Sequence, residues 1–383
     1  MRVLLTGVTG ALGCALLPEL LGKGFEVYCL IRPQSGRQAA DRLREITTHP
    51  RAIALDGDIT FPLCGVDPAK LPIIGKLVHA AADTSLNQAS PERIVEANLE
   101  GTRNALALAK ALGHPDFYYV GTAYIAGDAA VLEEQETGAP LNVGTGRNPY
   151  ERSKVAAETA VRGYSGQFSV LRPSIVVGRS DDGTAPLLDG WYGFFRNITR
   201  LRESISRGNY KDEKGVKIMR GYKLQLPIGI KPTDNVPLNL IQLDWISRTE
   251  AALVALPARG RTYNLTHTKS MRLKEIIWAT LEAMNMTNVT FIEDNGNWTL
   301  SPVKLALRRM VNRELDHLRP YLMHGPEFIS RNLYEDLGPD WPEPPAITAD
   351  FIRMTMAAAE QGWRDEAAAK AAAGSQQGAS AYL

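Results

Sequence analysis

The 383-residue chain is poor in cysteine and histidine, with only 3 and 6 residues of these types. A disulfide framework is not expected, because the cysteines are few and odd in number: Cys14, Cys29 and Cys64. No spacing of cysteines and histidines matches a metal site, so we expect no bound metal. Sparse thiols favour a reducing compartment, and a cytoplasmic location is predicted.

The chain also lacks a charge excess and long apolar runs. Its 43 Lys and Arg against 42 Asp and Glu leave a net charge of +1, which argues against binding to nucleic acid or to a membrane surface. No apolar run approaches membrane-spanning length, and no basic leader precedes the first apolar run, residues 3–5. The 44% hydrophobic content is enough for a large core.

The first 180 residues alternate between two patterns. Short apolar runs predict strands, and the charged or amphipathic segments between them predict helices. The predicted strands are 3–5, 26–31, 52–55, 76–82, 117–120 and 168–171; the predicted helices are 11–23, 37–48, 91–112 and 150–162. This alternation indicates an α/β fold, a Rossmann-type doubly wound parallel sheet.

The pattern changes beyond residue 180, where Pro, Gly and aromatic residues become frequent. We expect a Rossmann domain over 1–180, with 236–270 returning to it through a strand at 262–265. Segments 181–235 and 271–363, with helices at 273–284, 301–318 and 348–361, should form a smaller, mostly helical substrate cap. Residues 364–383, rich in Ala, Gly, Ser and Gln, are expected to form a flexible tail.

A glycine-rich turn directly follows the first strand, in Thr6-Gly7-Val8-Thr9-Gly10-Ala11-Leu12-Gly13. Gly7 permits a tight turn, Gly10 lets backbone approach a phosphate, and Gly13 lets the helix pack closely on the strand. The helix N-terminus offers N–H groups to the anion. The pattern predicts a dinucleotide site, and a glycine-rich turn without a ligand is the alternative.

Tyr150 and Lys154 are four residues apart, so they share a helix face. An ammonium group near a phenol should lower the tyrosine pKa and create a proton donor for a carbonyl that receives hydride. Thr122 follows a predicted strand, where its hydroxyl would hydrogen-bond the reacting oxygen. Taken singly, each has a plain alternative: a solvated lysine beside a half-buried tyrosine, and a turn threonine.

Together, the glycine turn, Thr122, Tyr150 and Lys154 resemble the extended branch of the short-chain dehydrogenase/reductase superfamily. Further matching segments are 56–59, 78–82, 98–102 and 171–178, and the resemblance covers about residues 1–180 and 236–266. It implies that Thr122, Tyr150 and Lys154 are catalytic. It also implies cofactor contacts from the turn residues Gly7, Thr9, Gly10, Ala11, Leu12 and Gly13, from Tyr150 and Lys154 themselves, and from Asp58, Ile59, Ala80, Ala81, Ala82, Asn98, Pro173, Ser174, Ile175 and Val176.

The second predicted strand ends in Arg32, and Arg42 lies on the helix that follows. An acid at this position would bind the ribose 2′-hydroxyl of NAD, whereas arginine suits the 2′-phosphate of NADP. No Asp or Glu lies between Ile31 and Ala40. We therefore expect NADPH/NADP⁺, the alternative being two solvated arginines.

Within the extended branch, the segments 30–32, 57–65 and 79–84 and the run 150–154 with Glu158 look like the thioester-reductase and fatty-acyl reductase group. That group reduces acyl thioesters on CoA or on a carrier protein. Many members have tryptophan directly after the lysine, where this chain has Val155. The chain has no carrier domain, so a carrier protein would act in trans.

Two cap segments bear on the substrate. The basic stretch 196–223 would dock an acidic carrier protein or CoA phosphates, or is a solvated loop. The aromatic run 191–195 would line an acyl channel, or is cap core. Two other functions stay open: an extended dehydrogenase or epimerase acting on an alcohol, ketone or nucleotide-sugar, and an NADP-sensing protein without turnover. Sensing relatives of this fold usually lack the tyrosine–lysine pair, so the presence of Tyr150 and Lys154 argues against that function.

Overall fold

The computed structural model describes residues 1–34, 36–85, 91–136, 141–186, 192–193, 195–196, 199, 227–228, 236–284, 290–291, 321 and 324–380. The chain divides into two compact units. Unit 1 comprises Met1–Val176, Pro237–Ser270 and His324–Ala346, and unit 2 comprises Val177–Val236, Met271–Met323 and Ile347–Leu383.

The strands are numbered in chain order. They are β1 (Arg2–Thr6), β2 (Glu26–Ile31), β3 (Ala52–Asp56), β4 (Lys76–His79), β5 (Asp116–Val120), β6 (Val131–Leu132), β7 (Phe168–Pro173), β8 (Ile175–Val177), β9 (Pro227–Ile228), β10 (Pro237–Leu238), β11 (Leu240–Gln242), β12 (Thr262–Leu265), β13 (Met271–Arg272), β14 (Thr290–Phe291) and β15 (Glu327–Phe328).

The helices of the described residues are α1 (Ala11–Gly22), α2 (Ala39–Arg44), α3 (Pro91–Val95), α4 (Gly101–Ala111), α5 (Pro149–Arg162), α6 (Leu243–Ala255), α7 (Leu273–Ala283), α8 (Asn332–Leu337) and α9 (Ala349–Ser380). A π-helical turn, Glu96–Glu100, joins α3 to α4. The region 91–112, predicted as one helix or a helix pair, is thus a helix with one widened turn, a feature that is frequent at functional sites.

Unit 1 is built on a seven-stranded sheet in the order β12-β7-β5-β4-β1-β2-β3, with every neighbouring pair parallel. Apolar side chains fill both faces. Val3 and Leu5 of β1 join the buried cluster that includes α1 and α6, whereas Leu4 joins the cluster that includes α4 and α5. The sheet confirms the predicted doubly wound α/β fold, because helices cover both faces.

The strand order reverses between β1 and β4. From β1 the chain builds the sheet outward through β2 and β3, and from β4 it builds in the other direction. Ligands of open α/β sheets bind in the crevice at such a switch point, beyond the carboxyl ends of the strands. The last residues of the two strands, Thr6 and His79, are register partners there.

In unit 2, α7 packs against α9, and Arg353 of α9 donates a hydrogen bond to Glu282 of α7 at 2.9 Å. Tyr192 and Phe195, the members of the predicted aromatic run 191–195 that the structure describes, are both buried. The Tyr192 hydroxyl accepts a hydrogen bond from the Gly178 backbone at 2.8 Å, as a core side chain does.

Residues 324–346 correct the predicted cap boundary, because they belong to unit 1. Strand β15 pairs with β6, and the Glu134 carboxylate accepts hydrogen bonds from the backbone N–H groups of Arg331 and Asn332 at 2.7 Å each. A two-residue strand has no periodicity to read in the sequence. Helix α9 also extends to Ser380, so most of the expected tail is helical, in keeping with the helix propensity of its alanines.

One smaller difference concerns the length of a predicted helix, and two predicted segments cannot be compared. The charged segment predicted as a helix over 37–48 forms only α2, Ala39–Arg44. The helix predicted over 301–318 and most of the basic stretch 196–223 lie outside the described residues. In the part of the chain that the structure describes, no helix is both long enough and apolar enough to span a bilayer.

Candidate active site

The glycine turn between β1 and α1 has room for backbone only. Gly7 has a φ of +80°, and a Cβ there would lie 2.6 Å from the Ala81 nitrogen. A Cβ on Gly13 would lie 2.2 Å from the Gly7 oxygen. The Gly10 N–H closes the turn on the Gly7 carbonyl at 2.9 Å. Gly7 and Gly13 thus meet the steric demand that the sequence motif predicts, and a Cβ on Gly10 would lie 3.2 Å from the Gly7 oxygen.

Helix α1 starts directly after this turn. Thr9 lies in the turn, and Ala11 and Leu12 are the first two residues of the helix. Its N-cap is Gly10, which has no side chain to satisfy the first N–H groups, and its first turn holds no acidic residue. Uncapped N–H groups and the helix dipole favour an anion here. The cradle therefore fits the diphosphate of a dinucleotide.

Arg32 follows the carboxyl end of β2 and is 59% exposed. Its Nη1 lies 3.8 Å from Oδ2 of Asp58, and its carbonyl accepts a hydrogen bond from Nη1 of Arg42 at 2.5 Å. Asp58 Oδ1 accepts hydrogen bonds from the backbone and hydroxyl of Thr60, both at 3.0 Å. The two predicted arginines thus lie together, beside Asp58, with the Arg32 guanidinium facing solvent.

The residues predicted to contact the adenine and the ribose follow the carboxyl ends of strands of the same sheet. Ile59 packs against α4, where a Cβ on Gly101 would lie 2.7 Å from Ile59 Cδ1. Ala80, Ala81 and Ala82 follow β4, and the first two approach Gly7. Beyond β7, Ser174 has a buried hydroxyl with no hydrogen-bond partner among the described residues. An unpaired buried hydroxyl is costly unless a ligand group binds it, so Ser174 also fits a cofactor.

The backbone around Ser174 is fixed at this edge. The Ser174 N–H donates to the Leu265 carbonyl at 3.2 Å, and the Ile175 N–H donates to the Asn239 carbonyl at 3.3 Å. Pro173 offers its carbonyl to Thr122 Oγ1 at 3.5 Å. The predicted segment of Pro173, Ser174, Ile175 and Val176 therefore borders the position of Thr122.

Thr122 lies just beyond β5, where its hydroxyl caps a short 3₁₀ turn by accepting a hydrogen bond from the Tyr124 N–H at 3.2 Å. Tyr150 lies in the first turn of α5, after the N-cap Asn148. The Thr122 hydroxyl lies close enough to the Tyr150 phenol to lower the pKa of Tyr150 in part. Two hydroxyls predicted from separate motifs therefore meet at one point.

Lys154 is one turn further along α5 and is buried. Its Nζ donates to the Val120 carbonyl at 2.8 Å and lies 4.5 Å from the ring centroid of Tyr119. Burial lowers the Lys154 pKa to about 7, although the Glu158 carboxylate opposes this shift. Lys154 therefore carries its full charge only below neutral pH.

Burial raises the pKa of Tyr150 to about 12, while the nearby Thr122 hydroxyl opposes this shift in part. This corrects the expectation that Lys154 lowers the tyrosine pKa toward neutrality. The physical reason is that the Lys154 ammonium is itself destabilised by burial and is held by the Val120 carbonyl. In this structure Tyr150 is a protonated phenol across the physiological range.

Asn98 is buried in the π-helical turn. Its amide exchanges hydrogen bonds with the backbone of Asp83 at 2.7 and 3.0 Å. It also donates to Ser153 Oγ at 2.9 Å, and Ser153 donates to the Tyr150 carbonyl at 2.7 Å. Asn98 therefore contacts the helix that carries Tyr150, as well as supporting backbone beyond β4.

Two features of this region were not predicted. Glu151, next to Tyr150, is fully buried and binds the Arg147 side chain at 2.8 Å and the Arg147 N–H at 2.8 Å. The Glu151 N–H donates to the Asn148 side chain at 2.8 Å, which caps the first turn of α5. The sequence signal was present, since Asn148 precedes Glu151 by three residues.

The second unpredicted feature is the polar pair at the switch point, where Thr6 Oγ1 and His79 Nδ1 are 2.8 Å apart. Both residues lie in quoted motifs, but no role follows from their spacing. Their partnership depends on the pairing of β1 with β4.

Three kinds of comparison bear on this site. A family model described as "Male sterility protein", whose label denotes NAD binding, matches residues 5–224, more than half of the chain. Fatty acyl-CoA reductase 1 of Gallus gallus is 27% identical over 254 residues, which cover 54% of this chain and 48% of that protein. The chain spans less than half the length of the curated relatives it matches first.

Solved structures match the fold over almost the whole chain. The terminal R domain from the myxalamid PKS-NRPS pathway is 22% identical, with a TM-score of 0.71 and coverage of 94% of this chain and 91% of that one. A thiolation-reductase di-domain from an archaeal non-ribosomal peptide synthetase has a TM-score of 0.65 at 16% identity, with 94% and 90% coverage. A UDP-galactose 4-epimerase has 0.63 at 17%, with 94% and 99%. These matches confirm the predicted fold.

Proposed function

The chain belongs to the male sterility protein family of extended short-chain dehydrogenases/reductases, and we propose that it is an NADPH-dependent reductase of an acyl thioester. The thioester is CoA- or carrier-protein-bound, or the substrate is the carbonyl compound derived from it. One observation carries this proposal: Lys154 Nζ, one turn beyond Tyr150 on α5, donates to the Val120 carbonyl at 2.8 Å, which brings the Tyr150 helix next to Thr122 at the carboxyl ends of the strands that also hold the glycine cradle.

When bound, the nicotinamide cofactor supplies the hydride. The chain's own residues provide the rest: Thr122 and Tyr150 hold the carbonyl oxygen, and the Tyr150 hydroxyl donates a proton to it as negative charge develops. Hydride addition at carbon and protonation at oxygen convert a thioester into a hemithioacetal. Its collapse releases the aldehyde and the free thiol. Lys154, one turn away, orients the ribose and keeps the local field positive when it is protonated.

The choice of NADPH rests on Arg32 and Arg42. Arg42 fixes the backbone of Arg32 at 2.5 Å, and the Arg32 guanidinium is exposed with only a distant carboxylate, 3.8 Å away. An exposed guanidinium is suited to a bidentate contact with a phosphate. The 2′-phosphate of NADPH is the phosphate group that NADH lacks.

Arg32→Asp should therefore change the cofactor preference. We expect the ratio of kcat/KM for NADPH over NADH to fall by about 100-fold, because a charge-assisted pair is lost and a repulsive charge is added. Steady-state kinetics with both cofactors measure this ratio. Arg44→Gln is the matched control, since Arg44 is an exposed α2 arginine paired with Asp41 at 2.6 Å. An unchanged ratio in Arg32→Asp would place the 2′-phosphate site elsewhere.

A carrier protein in trans is part of the proposal. The likeness to a thiolation-reductase di-domain supports it, since that di-domain joins a thiolation domain to a reductase. A cytoplasmic location is proposed as well, because Cys14, Cys29 and Cys64 are all free thiols.

The second candidate is an extended dehydrogenase or epimerase acting on an alcohol, ketone or nucleotide-sugar. The similarity to a UDP-galactose 4-epimerase favours it, at a TM-score of 0.63. A non-catalytic NADP-sensing protein is a third, against which the presence of both Tyr150 and Lys154 argues.

One set of assays separates these candidates. NADPH consumption is followed with acyl-CoA and with an acylated carrier protein, NADP⁺ reduction with alcohols, and interconversion with UDP-hexoses; mass spectrometry identifies the products. Thioester-dependent NADPH oxidation with aldehyde or alcohol formation supports the proposal. Turnover of alcohols or UDP-hexoses alone contradicts it, and tight NADPH binding without any turnover points to a sensor.

A further inference from the structure

A row of buried hydrogen bonds crosses the switch point of the sheet. The Ala81 N–H donates to Thr6 Oγ1 at 3.2 Å, and Thr6 Oγ1 lies 2.8 Å from His79 Nδ1. On the other side of the ring, His79 Nε2 lies 3.1 Å from Thr102 Oγ1. Thr6, His79 and Thr102 are each at most 1% exposed, so water does not compete for these bonds.

The distances favour one direction for each bond in this row. Thr102 Oγ1 is 2.6 Å from the Asn98 carbonyl, which only accepts, so the single hydroxyl proton of Thr102 points there. His79 Nε2 must then donate to Thr102, and His79 Nδ1 must accept from the Thr6 hydroxyl. Thr6 in turn accepts from the Ala81 N–H. A neutral imidazole with its proton on Nε2 satisfies all partners.

The row continues to the proposed proton donor. Asn98, whose carbonyl ends the bond from Thr102, donates through its side chain to Ser153 Oγ at 2.9 Å. Ser153 donates to the Tyr150 carbonyl at 2.7 Å. At the other end, Thr6 directly precedes Gly7, and Ala81 forms the wall against that glycine. One connected network therefore runs from the diphosphate cradle to the first turn of α5.

We propose that His79 is a positioning residue that couples the glycine cradle to the Tyr150 helix through this network. The coupling rests on the proposed function in one respect, since it places Tyr150 as the proton donor. His79 touches neither the cradle anion nor the reacting carbonyl. It acts by fixing Thr6 on one side and the π-helical turn with Asn98 on the other. A shift of Tyr150 by a fraction of an ångström alters proton transfer more than it alters binding.

Thr102→Val cuts the network at its centre with little change in shape. It leaves the His79 N–H and the Asn98 carbonyl without their partner. We expect kcat to fall by about tenfold with the KM for the thioester within about twofold, because a buried unpaired donor displaces its neighbours. Thr102→Ser restores the hydroxyl and should recover most of the rate. Thermal unfolding of each variant shows that it is folded.

Thr280→Val is the matched control. Thr280 is also buried, and its hydroxyl also bonds the carbonyl four residues earlier, Ile276, at 2.8 Å, but it lies on α7 in unit 2. If Thr280→Val lowers kcat as much as Thr102→Val at a similar loss of thermal stability, the effect is general destabilisation. That result would overturn the positioning role, as would a failure of Thr102→Ser to recover the rate.

A double-mutant cycle tests the coupling without any substrate. Thr6→Val and Ser153→Ala, alone and combined, are compared by NADPH dissociation constants measured by fluorescence titration. We expect the combined effect to differ from the product of the single effects by about threefold or more, and to become multiplicative when Thr102→Val is added. Multiplicative effects in the parent protein would overturn the coupling.

The two proposals fail separately. If the protein binds NADPH and the cycle shows coupling, but no thioester is reduced, the proposed function fails while the network stands. If thioesters are reduced and the cycle shows no coupling, the reductase assignment stands and His79 is only a core residue.

Discussion

Tyr150→Phe is expected to lower kcat for thioester reduction by about 10²–10⁴-fold, the range that a positioned general acid contributes. The change removes one hydroxyl and leaves the partly buried ring in the first turn of α5. NADPH affinity should stay within a few-fold, because the glycine cradle and Arg32 are untouched. Stopped-flow or steady-state measurement of NADPH oxidation, with fluorescence titration of NADPH, gives both values.

The pKa of Tyr150 determines whether this residue can donate a proton at a given pH. At about 12 it is protonated from acidic to mildly alkaline pH, so it is ready to donate in the reductive direction. The nearby Thr122 hydroxyl favours the phenolate that remains after transfer. The rate of reduction should therefore not fall through ionisation of Tyr150 below about pH 9.

Tyr164→Phe is the control for this variant. Tyr164 follows the other end of α5, and its hydroxyl makes one long contact, 3.5 Å to the Pro115 carbonyl. The kcat of the Tyr164→Phe variant for thioester reduction should match that of the parent protein. If Tyr150→Phe also turned over at the parental rate, the proton would come from elsewhere, and the central assignment of the site would be wrong.

The fold was predictable where the signal is local. The alternation of short apolar runs with helical segments identified the strands of the parallel sheet as far as β7. The glycine turn was predictable for the same reason, since Gly7, Gly10 and Gly13 lie within seven residues. Strand β15 was not, because two residues carry no period and its partner β6 is almost 200 residues earlier in the chain.

In the candidate site, too, the features with a local sequence signal were predictable and those that depend on tertiary structure were not. Thr122, Tyr150 and Lys154 could be chosen from motifs, and the structure brings the Thr122 hydroxyl close to the Tyr150 phenol. The ionisation of Tyr150 could not be predicted, because helical spacing gives the neighbour but not the burial of both groups. The partnership of Thr6 with His79 spans 73 residues and exists only through strand register.

Glu158 shows how a motif residue can serve the structure of the site. It lies one turn beyond Lys154 on α5 and is fully buried, as is its partner Arg172 on β7. The Glu158 carboxylate accepts from Arg172 Nη2 at 2.6 Å and from Arg172 Nε at 3.0 Å, a bidentate pair. Arg162 adds a second cation at 3.0 Å. This pair fixes α5 on the strand that leads to Ser174.

Glu158→Gln should lower the free energy of unfolding by about 3–5 kcal/mol, because it leaves the Arg172 charge buried without a counter-charge. Urea unfolding followed by circular dichroism measures the change. Glu100→Gln is the matched control, since Glu100 pairs with Arg103 at 2.6 Å on an exposed face, and its loss should cost at most about 1 kcal/mol. Replacing both partners, as Glu158→Leu with Arg172→Met, should recover part of the stability, because the fully buried Arg172 charge is removed and only Arg162 still loses its carboxylate partner. A Glu158→Gln protein as stable as Glu100→Gln would mean that the neutral acceptors near Arg172, the Glu133 carbonyl at 3.3 Å and the Asn264 side chain at 3.4 Å, are sufficient by themselves.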